Sequence, residues 1–173
     1  MTQPRIAFDD QETKNQIADL VRFTARTMGT ETPVPFGASV VETRTGKRLL
    51  RTVNGVGQGN DPTAHAETRV IRLACKRIKN FNLKGYTLYT TCEPCPMCMS
   101  AILWSGLDRV VYGATIGDAA RHCNQIYINA SELTEKSDMK CVVDGPIERE
   151  LCYTLFTHPN MLQKFDAWRK NRR

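Results

Sequence analysis

Two short stretches hold the residue types that do chemistry: Asp61-Pro62-Thr63-Ala64-His65-Ala66-Glu67 and Thr90-Thr91-Cys92-Glu93-Pro94-Cys95-Pro96-Met97-Cys98. In the second, Cys95 and Cys98 stand at the spacing from which the first turn of a helix presents two thiolates to one zinc ion. Backbone amides and the macrodipole at a helix N-terminus favour the thiolate form. A lone CxxC leaves redox and structural-metal uses open. Cys92 extends the run to Cys92-x-x-Cys95-x-x-Cys98, superficially an iron–sulfur pattern. Such clusters take four thiolates, however, and Cys75, Cys123, Cys141 and Cys152 stand singly. A purely structural zinc site would call for a second CxxC or a histidine pair, and the sequence has neither.

The first stretch completes a different set. Both stretches follow a strand-to-helix junction, so if both helices start at one edge of a sheet, His65, Cys95 and Cys98 converge on one ion. Three protein ligands leave a fourth position for water, the arrangement of a catalytic zinc. Zinc lowers the pKa of that water towards about 7. His65 and Glu67, two residues apart, point to different sides of a helix. From the first turn both reach past the helix end, so His65 binds while Glu67 overhangs the open position and carries protons. The competing reading is a surface glutamate beside a buried histidine. One Zn2+ per chain is expected.

These residues need elements to position them. Between Asp10 and Met28, Ile17, Leu20, Val21, Thr24 and Met28 recur at three- and four-residue steps, which predicts an amphipathic helix packed on something flat. A proline-punctuated loop over 32–37 precedes a strand over 38–42. A turn at Thr45–Gly46 and a second strand over 48–53 make a hairpin. The glycine-rich run 54–62 leads into a helix from about Ala64 to Lys79, with Asp61 or Thr63 as its cap. Then come a strand over 85–91, a helix over 94–106 opened by prolines and closed by Gly106, and a strand over 108–114. Strands alternating with helices imply crossovers and a layered α/β domain. A strand near 140–143 and helices over 147–157 and 159–171 follow. The segment 115–138 shows no assignable pattern.

Bulk properties set limits. The 173 residues fit one domain, 1–173, with no repeat or linker to divide it. With 41% hydrophobic residues and evenly mixed charge, the chain reads as a soluble globular protein. Its apolar runs fall far short of the roughly 20 residues that span a bilayer. The N-terminal stretch MTQPRIAFDDQETKNQ carries acids where a signal peptide would be apolar. Seven cysteines, an odd number, suit a reducing compartment, and the cytoplasm is expected. Of the net charge of +6, Arg169, Lys170, Arg172 and Arg173 carry four. That tail is either a solvated basic end or one that tracks phosphates.

The pairing of His65-Ala66-Glu67 with Pro94-Cys95-Pro96-Met97-Cys98 is a signature of zinc deaminases. The chain resembles the zinc-dependent cytidine/deoxycytidylate deaminase superfamily, and within it bacterial guanine deaminase-like nucleobase deaminases. PFGA at 35–38, NDPTAHAE at 60–67, TCEPCPMC at 91–98, YGA at 112–114 and FDAW at 165–168 carry the likeness, which covers roughly residues 12 to 170. It implies a three-layer α/β/α sandwich around a mixed, roughly five-stranded sheet. It implies hydrolytic deamination of an aminated nucleobase-like heterocycle, with Glu67 as catalytic proton carrier and release of ammonia. Asn54, Phe36, Ala66 and Trp104 match substrate-binding positions: Asn54 bonds the base, Phe36 stacks near the ring and Trp104 lines the pocket. From the residues alone, Asn54 could serve a turn with Gly55, and Phe36 and Trp104 could be core.

The departures bear on the substrate. After Asp118-Ala119-Ala120, guanine deaminases of this kind carry an acidic pair, whereas this sequence runs RHCNQIYIN with no carboxylate before Glu132. Their C-terminal tyrosine is also missing. Asp118, His122 or Glu132 replaces the acid, or the ring differs. Guanine, converted to xanthine, is the first choice; cytosine, guanosine, an aminotriazine or adenosine in tRNA are the alternatives. The competing class is a non-catalytic zinc module binding nucleic acid through the basic tail. The resemblance further implies a homodimer in which the segment after about residue 150 reaches the partner's active site, and no membrane association.

Overall fold

The structure, a computed structural model, describes residues 10–171. The acid-bearing N-terminal stretch up to residue 9, and Arg172 and Arg173 of the basic tail, lie outside the described residues. A five-stranded sheet has the order β2-β1-β3-β4-β5, built from β1 (Gly37–Glu42), β2 (Arg48–Val53), β3 (Tyr86–Cys92), β4 (Arg109–Ala114) and β5 (Val142–Asp144). β1 runs antiparallel to β2 and β3, while β3–β4 and β4–β5 are parallel. The sheet is mixed, as expected, because one hairpin opens the chain and helical crossovers follow.

Strand alternation sorts the apolar side chains onto two faces. Val41, Tyr89 and Val111 face one core, shared with Ile17, Leu20 and Val21 of α1 (Asp10–Ala25) and with Leu155 and Phe156 of α7 (Arg149–Thr157). Phe165 of α8 (Pro159–Asn171) closes that core. Ala38, Val40, Leu88 and Val110 face the other, against Val70 and Ala74 of α3 (Ala66–Ile78) and Met99 and Ile102 of α4 (Pro96–Trp104). The result is the expected three-layer α/β/α sandwich.

Several boundaries differ from the expectation for definite reasons. The first helix ends at Ala25, and Met28 is buried from a 3-10 turn over Arg26–Gly29. There the Thr27 hydroxyl donates to Thr24 O at 2.9 Å and accepts from Val34 N at 3.1 Å, diverting the chain towards the proline loop. Neither Asp61 nor Thr63 caps α3. Asp61 Oδ1 instead accepts from Thr63 N at 2.8 Å and Thr63 Oγ1 at 2.6 Å, a turn of its own, and His65 becomes the N-cap. A short helix, α2 (Val56–Gly59), stands in the glycine-rich run.

The unassigned segment holds α5 (Ile116–Ala120) and α6 (Ala130–Glu135). Thr115 and Asp118 form a reciprocal capping box at the start of α5. Among the described residues no helix is long and apolar enough to cross a membrane.

Candidate active site

His65 and Cys95 occupy equivalent places. Each is the N-cap residue of its helix, extended at φ −62°, ψ 156° and φ −65°, ψ 166° respectively, so each side chain stands at a helix mouth. Pro96 at N1 fits its fixed φ to the first turn and gives up an N–H that the helix does not need. Cys98 follows one turn on, fully buried. β1 lies between the strands leading to the two mouths, so α3 and α4 begin at one edge of the sheet. His65 Nδ1 lies 3.6 Å from Cys95 Sγ and 3.5 Å from Cys98 Sγ, and the three donor atoms all fall within 4.8 Å of one another. One imidazole nitrogen and two sulfurs suit zinc, and three such ligands leave a fourth position.

Glu67 stands outside that cluster and beside it. It is 6% exposed, and its carboxyl accepts a hydrogen bond from Cys98. Burial pushes it up to about 7, partly opposed by His65. Cys95 is drawn down to about 4, chiefly by the hydrogen bond from Cys98 and further by His65. Cys98, the donor, is pushed up by that bond and by burial. His65 is raised, first by its bond to Cys95. Cys92, two residues before the loop proline, points instead into the α1/α7 core beside Ala114 and Cys152, which separates it from the cluster.

A cavity of about 630 Å³ opens from His65. Asn54 and Phe36 line it. Asn54 N donates to Phe36 O at 2.9 Å, tying the two together, and Asn54 Oδ1 accepts from Val56 N at 3.3 Å. Phe36 is held edge-on by Phe156, with ring centroids 5.4 Å apart. Ala66 is buried at the first position of α3, where a backbone N–H has no intrahelical acceptor.

His122 also lines the cavity. Its ring stacks on Phe165 at 5.2 Å, and its Nε2 lies 3.0 Å from Tyr153 Oη.

The other candidates are elsewhere. Trp104 does not line the cavity: it ends α4, six residues beyond Cys98, and is 77% exposed. Asp118 is not a cavity acid. It is buried under Arg149, which bonds both of its oxygens, and that guanidinium holds it well below the usual carboxylate range. Glu132 is paired with Lys136 at 2.7 Å on the surface.

Sequence reasoning passed over three features. Lys164 of α8 lines the cavity with Phe165, Trp168 and Arg169; in the sequence the last three stand only as part of FDAW or of a basic end, with no place at the chain's own cavity. Gln58, Asn124 and Gln125 add amides. Glu93, inside the metal loop, accepts from Ile116 N at 3.2 Å and Ala130 N at 3.1 Å, pinning both ends of the segment that carries His122.

Comparison with known proteins accords with this geometry. Residues 11–114 match the cytidine and deoxycytidylate deaminase zinc-binding region. Guanine deaminase of Bacillus subtilis is 37% identical over 135 residues, covering 78% of this chain and 80% of the relative. A solved structure described as a tRNA:A34 deaminase, which edits A to I at the wobble position, superposes with a TM-score of 0.69 at 29% identity, over 82% of this chain and 99% of that one. Guanine deaminase from Nitrosomonas europaea shares the fold with a TM-score of 0.71 at 23% identity, over 96% of this chain and 89% of that one. The chain therefore belongs to the cytidine and deoxycytidylate deaminase zinc-binding family, and it is a hydrolytic deaminase.

Proposed function

We propose that the chain hydrolyses the exocyclic C–N bond of an aminated nucleobase-like ring and releases ammonia, with guanine to xanthine as the first choice. The observation that carries this is the convergence of His65, Cys95 and Cys98 within 4.8 Å, beside a buried carboxyl on the same helix. These three residues would hold one zinc ion per chain, which when bound supplies a Lewis acid and makes water a strong nucleophile near neutral pH.

The protein's own groups do the rest. Glu67, raised to about 7, takes up a proton and returns it to the ring or to the departing nitrogen. General acid–base transfer of this kind contributes about 10²–10⁴-fold. Asn54, whose oxygen is engaged by Val56 N, offers its Nδ2 to a ring acceptor, and the Ala66 N–H offers a second donor. Phe36 packs against the ring face.

Guanine leads because a relative that matches most of this chain is a guanine deaminase. Where such enzymes have acids, this cavity presents His122 and amides, so cytosine, guanosine and aminotriazines stand beside guanine in the test. The experiment is an ammonia-release screen of the zinc-loaded chain over guanine, guanosine, adenine, cytosine, cytidine, aminotriazines, creatinine and a tRNA anticodon stem. Release from none of them would discard the reading.

A second reading, deamination of adenosine in tRNA, is favoured by Lys164 and Arg169 on the cavity wall and by the likeness to the tRNA:A34 deaminase. It requires activity that falls steeply with salt.

We further propose one deaminase domain over 1–173, assembled as a homodimer in the cytoplasm. Among the described residues α8 packs on its own chain, and it supplies four cavity residues. Exchange of the segment after about 150 would deliver the same four to a partner. Light scattering at the monomer mass would end the dimer proposal. The seven cysteines are all free, as a reducing compartment keeps them, and cell fractionation tests the location.

A further inference from the structure

We infer that the preferred substrate carries an anionic group, phosphate or carboxylate, attached to its ring and seated between Lys164 and Arg169 of α8. The inference rests on the deaminase reading above and moves its preferred substrate from a bare base such as guanine to an anionic derivative of such a ring.

Size gives the first argument. Cavities of about 300–1,000 Å³ enclose drug-sized ligands, and this one measures about 630 Å³. A bare base held at Asn54, Phe36 and His65 leaves the α8 side of that space open for a substituent.

Charge gives the second. Lys164 and Arg169 are the charged side chains of the wall, and none of its described residues is an aspartate or glutamate. His122 is held below its ordinary range first by burial and, further, by Arg169 and Arg121, which places both guanidiniums near this side of the cavity. Arg169 does meet Asp166 at 3.2 Å, but Asp166 is not part of the wall and that pair is solvent-exposed. Exposed pairs of this kind hold little energy, so the guanidinium remains free for a bidentate grip on an anion. Cations lining a concave wall focus their field into it and attract the opposite charge.

Helix geometry gives the third. Residues 164, 165, 168 and 169 lie on one face of α8, with Phe165 and Trp168 in the middle and the two cations at its margins. Phe165 is buried in the core, so the half-buried Trp168 is the aromatic surface that a planar ring with a negatively charged substituent would meet between the two cations. Arg169, which the sequence placed in a basic tail, is thereby turned towards the reaction.

The test measures kcat/KM for ammonia release by the zinc-loaded full chain on matched pairs. These are guanosine against guanosine 5′-monophosphate, cytidine against cytidine 5′-monophosphate, and an aminotriazine with and without a carboxylate. The expected result is a preference of about ten-fold for the anionic member of a pair, the scale of a charge-assisted contact. That ratio falls towards one in Lys164→Gln/Arg169→Gln and persists in Lys164→Arg. Equal values within each pair, or a ratio that survives the double substitution, overturn the inference while leaving the deaminase reading intact. Should no compound release ammonia, the deaminase reading is what fails. Calorimetric binding then decides the inference, and equal affinity for nucleoside and nucleotide overturns it. Deamination of the tRNA stem alone also overturns it, in favour of a polymer.

Discussion

Asp118 and Arg149 meet through both carboxylate oxygens, Arg149 Nε to Oδ2 at 2.8 Å and Nη2 to Oδ1 at 2.7 Å, across the junction between α5 and α7. The carboxylate also accepts from Thr115 N, so one buried side chain closes a helix cap and anchors a distant helix. Arg149 and the Thr115 bonds depress Asp118, so its folded pKa lies below the unfolded value of about 3.9. The stabilisation is therefore complete above that value and is lost as pH falls through the folded pKa. Asp118→Asn is expected to cost about 2 kcal/mol at neutral pH. In thermal melts its gap from the parent chain should hold steady above about pH 5 and narrow below about pH 4. A gap that does not vary with pH would show that the pair contributes only packing.

Removing a metal ligand and removing the proton carrier should separate cleanly. Cys98→Ala and His65→Ala are expected to lose the roughly one zinc per chain, read by elemental analysis, together with activity. Glu67→Gln keeps the metal and loses about 10²–10⁴-fold in kcat. A Glu67→Gln enzyme with near-normal turnover would return the glutamate to the status of a buried neighbour, and the chain to a non-catalytic zinc module.

Glu93 holds both ends of the 116–130 stretch through two backbone N–H groups. In Glu93→Gln the amide nitrogen turns towards one of those donors, and a bond is lost. The expected cost is about 1–3 kcal/mol. Because His122 and Gln125 ride on that stretch, KM should rise while zinc content stays unchanged.

Phe36 and Trp104 have opposite fates in the fold, and their alanine variants should too. Phe36 lines the cavity against Phe156, whereas Trp104 is at the far end of α4. Loss of an aromatic contact of this kind costs about 0.5–1.5 kcal/mol beyond buried area, so Phe36→Ala should raise KM several-fold. Trp104→Ala should leave KM where it is. A matched rise in both would place Trp104 at a substrate surface after all.

The metal cluster was legible in the sequence because its geometry is local. Two helix mouths, each marked by proline and a polar residue, need only a shared sheet edge to meet, and the alternation of strands and helices already required that edge. The core faces were legible for the same reason, since Val40 and Val41 go to opposite cores by strand period alone. The cavity's outer wall was not. Arg169 looked like part of a tail, and Lys164 drew no notice, because nothing nearby in sequence tells a helix face whether it will meet solvent or a distant loop. Asp118 misled in the other direction: its partner, Arg149, is 31 residues away. The Thr115–Asp118 cap could have been seen in TIGD, and it would have assigned that carboxylate to structure rather than to substrate.

On this reading bond cleavage belongs to the mouths of α3 and α4, while α8 adds the substituent's contacts to a ring site built from Asn54, Phe36 and His122. Substitutions at the two cations of α8 leave the sulfurs and the imidazole untouched, whereas Met161 and Phe165 of the same helix are fixed by the core. A scaffold divided in this way can take up new amines by changes at a helix margin, its reactive centre inherited intact.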